Sequence, residues 1–287
     1  MAKNIPMISP CKQEILTQVK QALHEDVGSG DVTAELIAAD KISHAQVLCR
    51  EDAILCGQDW FNAAFSLLDE DIKISWNFAE GQALKENDVI CEIKGNARTI
   101  LTAERTGLNF LQSLSATASV TQQYVKATTG TNCKILDTRK TIPGLRLAQK
   151  YAVSCGGGVN HRVGLYDMVL IKENHIHAAG SITNAVTSAR KNFPDLKIEV
   201  EAENIDELQQ AIDNNVDRVL LDNMDIETLM AAVKLTDKRT DLEASGNITL
   251  ETIPDIAKTG VDYISTGAIT KNIKAIDFSL RFIEKNN

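Results

Sequence analysis

The residues best suited to chemistry in this chain are cations, carboxylates and glycines that recur where short apolar runs end. Arg139 and Lys140 follow the run Lys134–Thr138, and Lys172-Glu173-Asn174 follows Met168–Ile171. Glu201 closes Ile198–Glu201, with Glu203 just beyond, and Asp222-Asn223 follows Arg218–Leu221. Ser245-Gly246-Asn247 follows Leu242–Ala244, and Thr266-Gly267-Ala268 follows Tyr263–Ser265. The early positions thus supply cations, the middle ones carboxylates, and the last two glycine beside hydroxyl or amide groups. Cations suit an anionic substrate. Two carboxylates, Glu201 and Asp222, suit Mg²⁺, which takes one or two carboxylates plus substrate oxygens. Glycine lets backbone N–H groups approach a phosphate. The expected site therefore binds a phosphorylated sugar with Mg²⁺ beside a second anion. Any one of these residues alone reads equally well as a helix cap or a surface ion pair; the repetition at six run ends is what points to a site.

The elements that must position these residues follow from the rhythm of the chain. From residue 134 onward the short runs alternate with helical stretches near 144–154, 181–193, 205–214, 225–236 and 249–259, with Ser181, Asp206 and Thr249 near helix starts. Strands alternating with helices imply parallel strands joined by right-handed crossovers. Their carboxyl ends gather on one side in an open sheet and in a barrel alike. Six units leave both architectures open: a doubly wound sheet, or a barrel short of eight strands. The earlier part reads differently. Ile15, Val19 and Leu23 mark a helix, a loop follows over 25–33, and strand-like runs lie around Val47–Leu55, Ile72–Trp76 and Val89–Ile93. Gly57, Gly81 and Gly95 punctuate these runs, which predicts an antiparallel sheet. A helix is expected over Thr99–Ser115, with Leu101, Leu108 and Leu111 on one side. Arg98, Thr102, Arg105, Asn109 and Gln112 form a polar stripe on another. The tail Ile276–Ile283 is expected to pack back on this first half.

Composition narrows the class. The 287 residues are 44% hydrophobic and 24% charged, with a net charge of −9. Such a surface repels nucleic acid and anionic membrane. Against that background Asp137–His177 is locally positive: Arg139, Lys140, Arg146, Lys150, Arg162 and Lys172 face Asp137, Asp167 and Glu173. No apolar run approaches the ~18 residues of a membrane span, and Met1–Lys20 lacks the apolar core of a secretory signal. A cytoplasmic protein is expected. Six scattered cysteines form no C-x-x-C pair and read as reduced, packed thiols, Cys155 among them. Gly156-Gly157-Gly158 reads as a helix stop. His175 and His177 lack a third ligand at metal spacing.

Longer motifs are more specific. The segment Asp137-Thr138-Arg139-Lys140-Thr141-Ile142-Pro143-Gly144-Leu145-Arg146 resembles a signature of the quinolinate phosphoribosyltransferases. The run from Gly156 through Asn160-His161-Arg162 and Leu165-Tyr166-Asp167 to Leu170-Ile171-Lys172-Glu173-Asn174-His175 resembles the same family. So do Glu199-Val200-Glu201, Leu220-Leu221-Asp222-Asn223-Met224 and Glu243-Ala244-Ser245-Gly246-Asn247. Glu25-Asp26-Val27-Gly28-Ser29-Gly30-Asp31 and Glu104-Arg105 extend the likeness into the first half, so it covers nearly the whole chain. Ser265-Thr266-Gly267-Ala268 departs from the family's Ser-Val-Gly-Ala but keeps Gly267.

The resemblance implies an α/β protein in two parts. These are an N-terminal α/β sandwich over 1–115, joined by 270–287, and a C-terminal incomplete α/β barrel of six parallel strands over 116–269. It implies a homodimer, or a hexamer built from dimers, with Arg105 reaching the neighbouring subunit's site. It implies transfer of a phosphoribosyl group from phosphoribosyl pyrophosphate to quinolinate with decarboxylation, yielding nicotinate mononucleotide, pyrophosphate and carbon dioxide. Arg105, Thr138, Arg139, His161, Arg162 and Lys172 would bind substrate. Lys140, Glu201 and Asp222 would be catalytic, the last two holding Mg²⁺. Ser245, Gly246, Asn247, Thr266, Gly267 and Ala268 would hold the 5′-phosphate. Lys140 and Lys172 both remain candidates for protonating the ring carbon. A strand-end lysine such as Lys172 is also what a Schiff-base aldolase needs, and a non-catalytic ligand-binding regulator is a further alternative.

Overall fold

A computed structural model describes residues 10–283 of the chain. These residues divide by contacts into two compact units.

The described part of the first unit comprises residues 10–122, 142–157 and 272–283. It opens with α1 (Lys12–Val27), which buries Ile15, Val19 and Leu23 at the spacing of one helix face. β1 (Ile42–Cys49) and β2 (Ala53–Ile54) follow, then α2 (Gln58–Ser66), β3 (Lys73–Trp76), β4 (Ala83–Leu84), β5 (Val89–Asn96) and α3 (Ala97–Ala127). The run expected around Val47–Leu55 is thus two strands, interrupted after Cys49. β1, β5 and β3 pair antiparallel, and β2 pairs with β4. The core gathers Trp60, Phe61 and Phe65 of α2 with Val47, Ile90 and Ile93 of the sheet and Ile100, Leu108, Leu111 and Leu114 of α3.

The helix expected to stop at Ser115 continues for twelve more residues. Small and β-branched residues after Ser115 have weak helix propensity. Here the hydroxyls return to the helix's own carbonyls: Thr117 Oγ1 donates to Ser113 O (3.2 Å) and Thr121 Oγ1 to Thr117 O (2.7 Å). Small side chains also admit a close neighbour. A Cβ on Gly156 would stand 2.3 Å from the Ala118 carbonyl oxygen. The boundary expected between 115 and 116 therefore falls inside a helix.

The second unit comprises residues 123–141 and 158–271. It carries β6 (Lys134–Leu136), after which α4 (Arg146–Cys155) belongs to the first unit, contrary to its expected membership of the barrel. α4 turns Ala148 and Ala152 into the first unit's core. Then come β7 (Val169–Ile171), α5 (Glu173–Ala179), α6 (Ile182–Asn192), β8 (Ile198–Ala202), α7 (Ile205–Asp213) and β9 (Arg218–Asp222). α8 (Ile226–Thr236), β10 (Asp241–Ser245), α9 (Ile253–Lys258), β11 (Tyr263–Ser265) and α10 (Ala268–Lys271) complete it. The last strand, β12 (Phe278–Phe282), pairs antiparallel with β1, so the tail closes the first unit's sheet.

The six parallel strands lie in the order β6-β11-β10-β9-β8-β7. A doubly wound sheet reverses direction partway. This one advances one strand at a time from β7 to β11 and then meets β6, leaving β6 and β7 as its two edges. That is the winding of a barrel left open between its first and second strands. Side-chain caps start the surrounding helices: Ser181 Oγ accepts the Asn184 N–H, Asn204 Oδ1 that of Glu207, and Asp225 Oδ1 that of Thr228.

Candidate active site

Strand alternation decides which side chains share the sheet's concave face. Lys172, Glu201, Asp222 and Ser245 stand at the carboxyl ends. Two residues deeper in each strand come Leu170, Glu199, Leu220 and Glu243, and deeper still Arg218. A cleft of about 310 Å³ opens above this ladder. Its walls include Thr138, Arg139, Lys140, His161, Arg162 and Lys172 on the cationic side. Glu201, Asp222 and Ser245 face them, over a floor of Leu170, Leu220, Glu243 and Ser265.

Local hydrogen bonds hold the cationic wall. The Thr138 Oγ1 accepts the Lys140 N–H (3.0 Å), and Thr270 Oγ1 donates to the Lys140 carbonyl (2.8 Å). Asp137, fully buried, accepts the His161 N–H on one oxygen (2.8 Å) and the Asn160 amide on the other (2.7 Å). Asp167 receives the N–H groups of Val163 and Gly164 (2.7 and 2.9 Å), and Arg162 Nη1 donates to the Met168 carbonyl (3.3 Å). Burial lowers the Arg162 guanidinium's pKa, and the nearby charge of Arg139 lowers it further. Two guanidinium groups close enough to repel are relieved by a doubly charged anion between them. Lys172, just past β7, makes an ion pair with Glu201 near the end of the neighbouring β8.

Beneath the cleft lies a cluster the sequence reading had not given a role. His161 Nε2 faces Glu199 Oε2 at 2.9 Å and Glu243 Oε2 at 3.3 Å. Arg218 Nη1 binds the same Glu243 oxygen at 2.9 Å, and its guanidinium lies over the Tyr263 ring, 4.3 Å from the centroid. Burial opposes a charge on His161, but Glu243 and Glu199 outweigh it and raise the imidazole to about 9. Burial and Glu243 push Glu199 up to about 6. Glu243 falls to about 2 because His161 and Arg218 overcome its burial. The Arg162 N–H at 2.7 Å from His161 Nδ1 favours a lone pair there and so competes with the second proton. Two carboxylates and one guanidinium need one more positive charge for neutrality, and in a dry interior that Coulomb demand outweighs one backbone contact. Both ring nitrogens thus face the protein's own groups. His161 lines the cleft while anchoring the wall from below. The signal in the sequence was parity: Glu199 and Glu201, like Glu243 and Ser245, are two apart on a strand and share a face.

The expected phosphate residues divide. Ser245 lines the cleft; Gly246, Asn247, Thr266 and Gly267 lie in the loops just beyond the strands, and Ala268 opens α10. Gly246 has φ +94°, and a Cβ there would sit 2.1 Å from Asn223 Oδ1. The Asn247 amide donates to that same oxygen (3.2 Å), and the Asn223 amide donates to Asp222 Oδ2 (2.7 Å), so the loop after β10 steadies the carboxylate ending β9. A Cβ on Gly267 would crowd Lys140 Cδ at 2.9 Å.

Of the local positive stretch, Arg139, Lys140, Arg162 and Lys172 meet at the cleft, whereas Arg146 and Lys150 ride on α4 in the other unit. Arg105 is exposed on α3, also in the other unit, and does not line the cleft. His161, Glu199 and Glu243 have donor types a metal could use, but the charge on His161 and that of Arg218 together already balance the two carboxylates. Glu201 and Asp222 fit a dication better. Burial raises Glu201, Lys172 opposes the rise, and Glu173 and Asp222 add to it. Two mutually repelling carboxylates at an open mouth are the oxygen donors that Mg²⁺ takes alongside substrate. No described helix is long and apolar enough to cross a membrane.

Comparison with known proteins finds matches along most of the chain. The family model for the quinolinate phosphoribosyl transferase N-terminal domain matches residues 31–115, and that for the C-terminal domain matches 117–281. A probable nicotinate-nucleotide pyrophosphorylase [carboxylating] of Bacillus subtilis is 41% identical over 268 residues, covering 92% of this chain and 93% of its own. A plant relative, the mitochondrial quinolinate phosphoribosyltransferase [decarboxylating] 2b of Nicotiana tabacum, is 41% identical over 92% of this chain and 80% of its own. Among solved structures, the nicotinate-nucleotide pyrophosphorylase from Francisella tularensis superposes with a TM-score of 0.93 at 50% identity, covering 96% of this chain and 99% of that one.

Proposed function

Since this chain belongs to the quinolinate phosphoribosyltransferase family, we propose that its cleft grips quinolinate between Arg139 and Arg162 and carries out the family's reaction there. The chain transfers a phosphoribosyl group from phosphoribosyl pyrophosphate to quinolinate and releases carbon dioxide, the step that forms nicotinate mononucleotide in de novo NAD biosynthesis. The convergence of Arg139, Lys140, Arg162 and Lys172 on one cleft opposite Glu201 and Asp222 carries the residue assignment.

Quinolinate presents two carboxylates on a pyridine ring. Guanidinium forks pair with carboxylates through two charge-assisted hydrogen bonds each. Thr138 shapes the turn that presents them, and His161 holds Arg162's stretch of chain from beneath. The pyridine nitrogen attacks the anomeric carbon as the bond to pyrophosphate breaks. Glu201 and Asp222 face the positive charge that develops on the sugar. Glu201 and Asp222 would hold Mg²⁺, which would supply positive charge for the departing pyrophosphate. The new pyridinium draws the electron pair released when the adjacent carboxylate leaves as carbon dioxide, and the vacated carbon takes a proton. Lys140 is the donor best supported: its backbone is fixed on both sides, and its side chain packs over Gly267. Lys172 is engaged with Glu201. Ser245-Gly246-Asn247 and Thr266-Gly267-Ala268 receive the 5′-phosphate, supported by Gly246, whose position against Asn223 leaves no room for a Cβ, and by Gly267, which lies against the Lys140 side chain.

The working enzyme is a homodimer or a hexamer of dimers, with Arg105 entering the neighbour's cleft. Its exposure on α3 and its absence from the residues that line the cleft support that reading. A cytoplasmic home accords with six free cysteines, five of them in part or wholly buried. Quinolinate labelled in the carboxyl group beside the ring nitrogen tests the whole scheme. Labelled carbon dioxide should appear only with phosphoribosyl pyrophosphate and Mg²⁺ present, and its absence under those conditions would refute the reading.

A further inference from the structure

We propose that Cys56 and Cys155 form an oxidation site, at which a small hydroperoxide oxidises Cys155 and Cys56 closes a reversible disulfide. Both belong to the first unit. Cys56 is fully buried just before α2, its N–H bound to Ser115 Oγ (2.9 Å) and its carbonyl accepting from the same hydroxyl (3.1 Å). Cys155 is the last residue of α4 and is partly exposed. The two sulfurs and a Glu80 oxygen lie within 4.8 Å of one another.

Packing keeps the pair facing. Gly156 presses on α3, where a Cβ would meet Thr121 at 2.7 Å, and Tyr151 of α4 packs its ring on Trp60 of α2 at 5.9 Å between centroids. Roles within the pair follow from exposure: an oxidant reaches Cys155 first, and the buried Cys56 can only resolve. A hydrogen bond from Cys56 lowers the Cys155 thiol, whereas burial raises Cys56, which assigns attack to Cys155. The third group does not convert the pair into a metal site. Glu80 Oε1 accepts the N–H groups of Gly57 (2.9 Å) and Gln58 (2.8 Å), and Oε2 accepts Gly57 at 3.2 Å. With the carboxylate committed to the start of α2, two sulfurs remain, too few for a closed tetrahedral site but sufficient for a disulfide.

In the first step the Cys155 thiolate attacks the terminal peroxide oxygen, the O–O bond breaks, and water or an alcohol leaves after taking a proton. The sulfenic acid so formed is attacked by Cys56; its S–O bond breaks and hydroxide departs with the Cys56 proton as water. The thiols lose two electrons and two protons, which the peroxide gains, and a dithiol reverses the bond.

The test treats the full chain with equimolar hydrogen peroxide, blocks remaining thiols by alkylation, and maps unreduced peptides by mass spectrometry. The expected result is loss of two hydrogens and a peptide linking Cys56 to Cys155, both reversed by dithiothreitol. Cys56→Ser should stop at a Cys155 sulfenic acid trapped by dimedone, and Cys155→Ser should leave Cys56 unoxidised. Absence of the linked peptide from wild-type protein overturns the proposal, whether or not the variants fold. So does one equivalent of Zn²⁺ held by wild type and lost from both variants, which would mark a metal site instead.

Discussion

Glu243 Oε2 lies 3.3 Å from His161 Nε2, in a pair whose side chains are 1% and 8% exposed, so the floor of the cleft is an ion pair rather than an apolar plug. Arg218 grips the same oxygen from the far side. Removing one member of such a cluster strands the others without water. Glu243→Ala is therefore expected to lower unfolding free energy by ~3–5 kcal/mol. Urea denaturation measures it, and an unchanged midpoint would show that the cluster contributes nothing.

The same cluster gives a pH signature. His161 is raised from 6.5 to about 9 on folding. Its stabilisation is full below pH 6.5 and is lost as pH rises through about 9, a change on the order of 3 kcal/mol. Glu199 has its midpoint near 6 and is almost fully ionised by pH 7, and Glu243 acts only near 2, so within this cluster the change from pH 7 to 9 belongs to His161. The melting temperature should fall between pH 6.5 and 9, and the fall should be shallower in Glu243→Gln. Parallel slopes for the two proteins would contradict the assignment.

Arg139→Ala and Arg162→Ala should each weaken quinolinate binding by roughly 10- to 100-fold, the worth of a charge-assisted hydrogen bond. Phosphoribosyl pyrophosphate affinity should largely survive if, as proposed, its groups meet the carboxylate and glycine side of the cleft. Calorimetry with each ligand separately reads the split; equal loss of both would refute it.

Arg105→Ala and Asp222→Ala should each be inactive alone. If Arg105 serves a neighbour's cleft, mixing the two proteins under exchange conditions should restore about a quarter of wild-type activity, since half the twofold dimers are mixed and each then has one intact site. No recovery, with subunit exchange verified independently, would place Arg105 elsewhere.

Much of the cleft was legible from local spacing. Arg139, Lys140, Lys172, Glu201 and Asp222 stand out because each ends an apolar run, and a strand's carboxyl end is a position the chain marks locally. The same period of two makes Glu199 and Glu243 readable as inward-facing in retrospect. Their partners were not readable: His161 lies in an irregular loop, and Arg218 begins a strand where a solvated residue is equally natural. α3 ran past its expected end because neighbours, not propensity, stabilise its last turns.

The sequence by itself determined the alternation of strands and helices, the polar strand ends and the motifs that carry the family likeness, because side-chain period and turn chemistry are properties of adjacent residues. Strand count alone left an open barrel and a doubly wound sheet equal; the family likeness implied the barrel, and only the tertiary structure showed β6 paired with β11 to make it. It also decided that α4 joins the first unit, and that Glu243 is shared by His161 and Arg218. Those outcomes rest on contacts between residues far apart in the chain, whose energies depend on burial and on opposite charges meeting in a dry interior, and no local pattern records them.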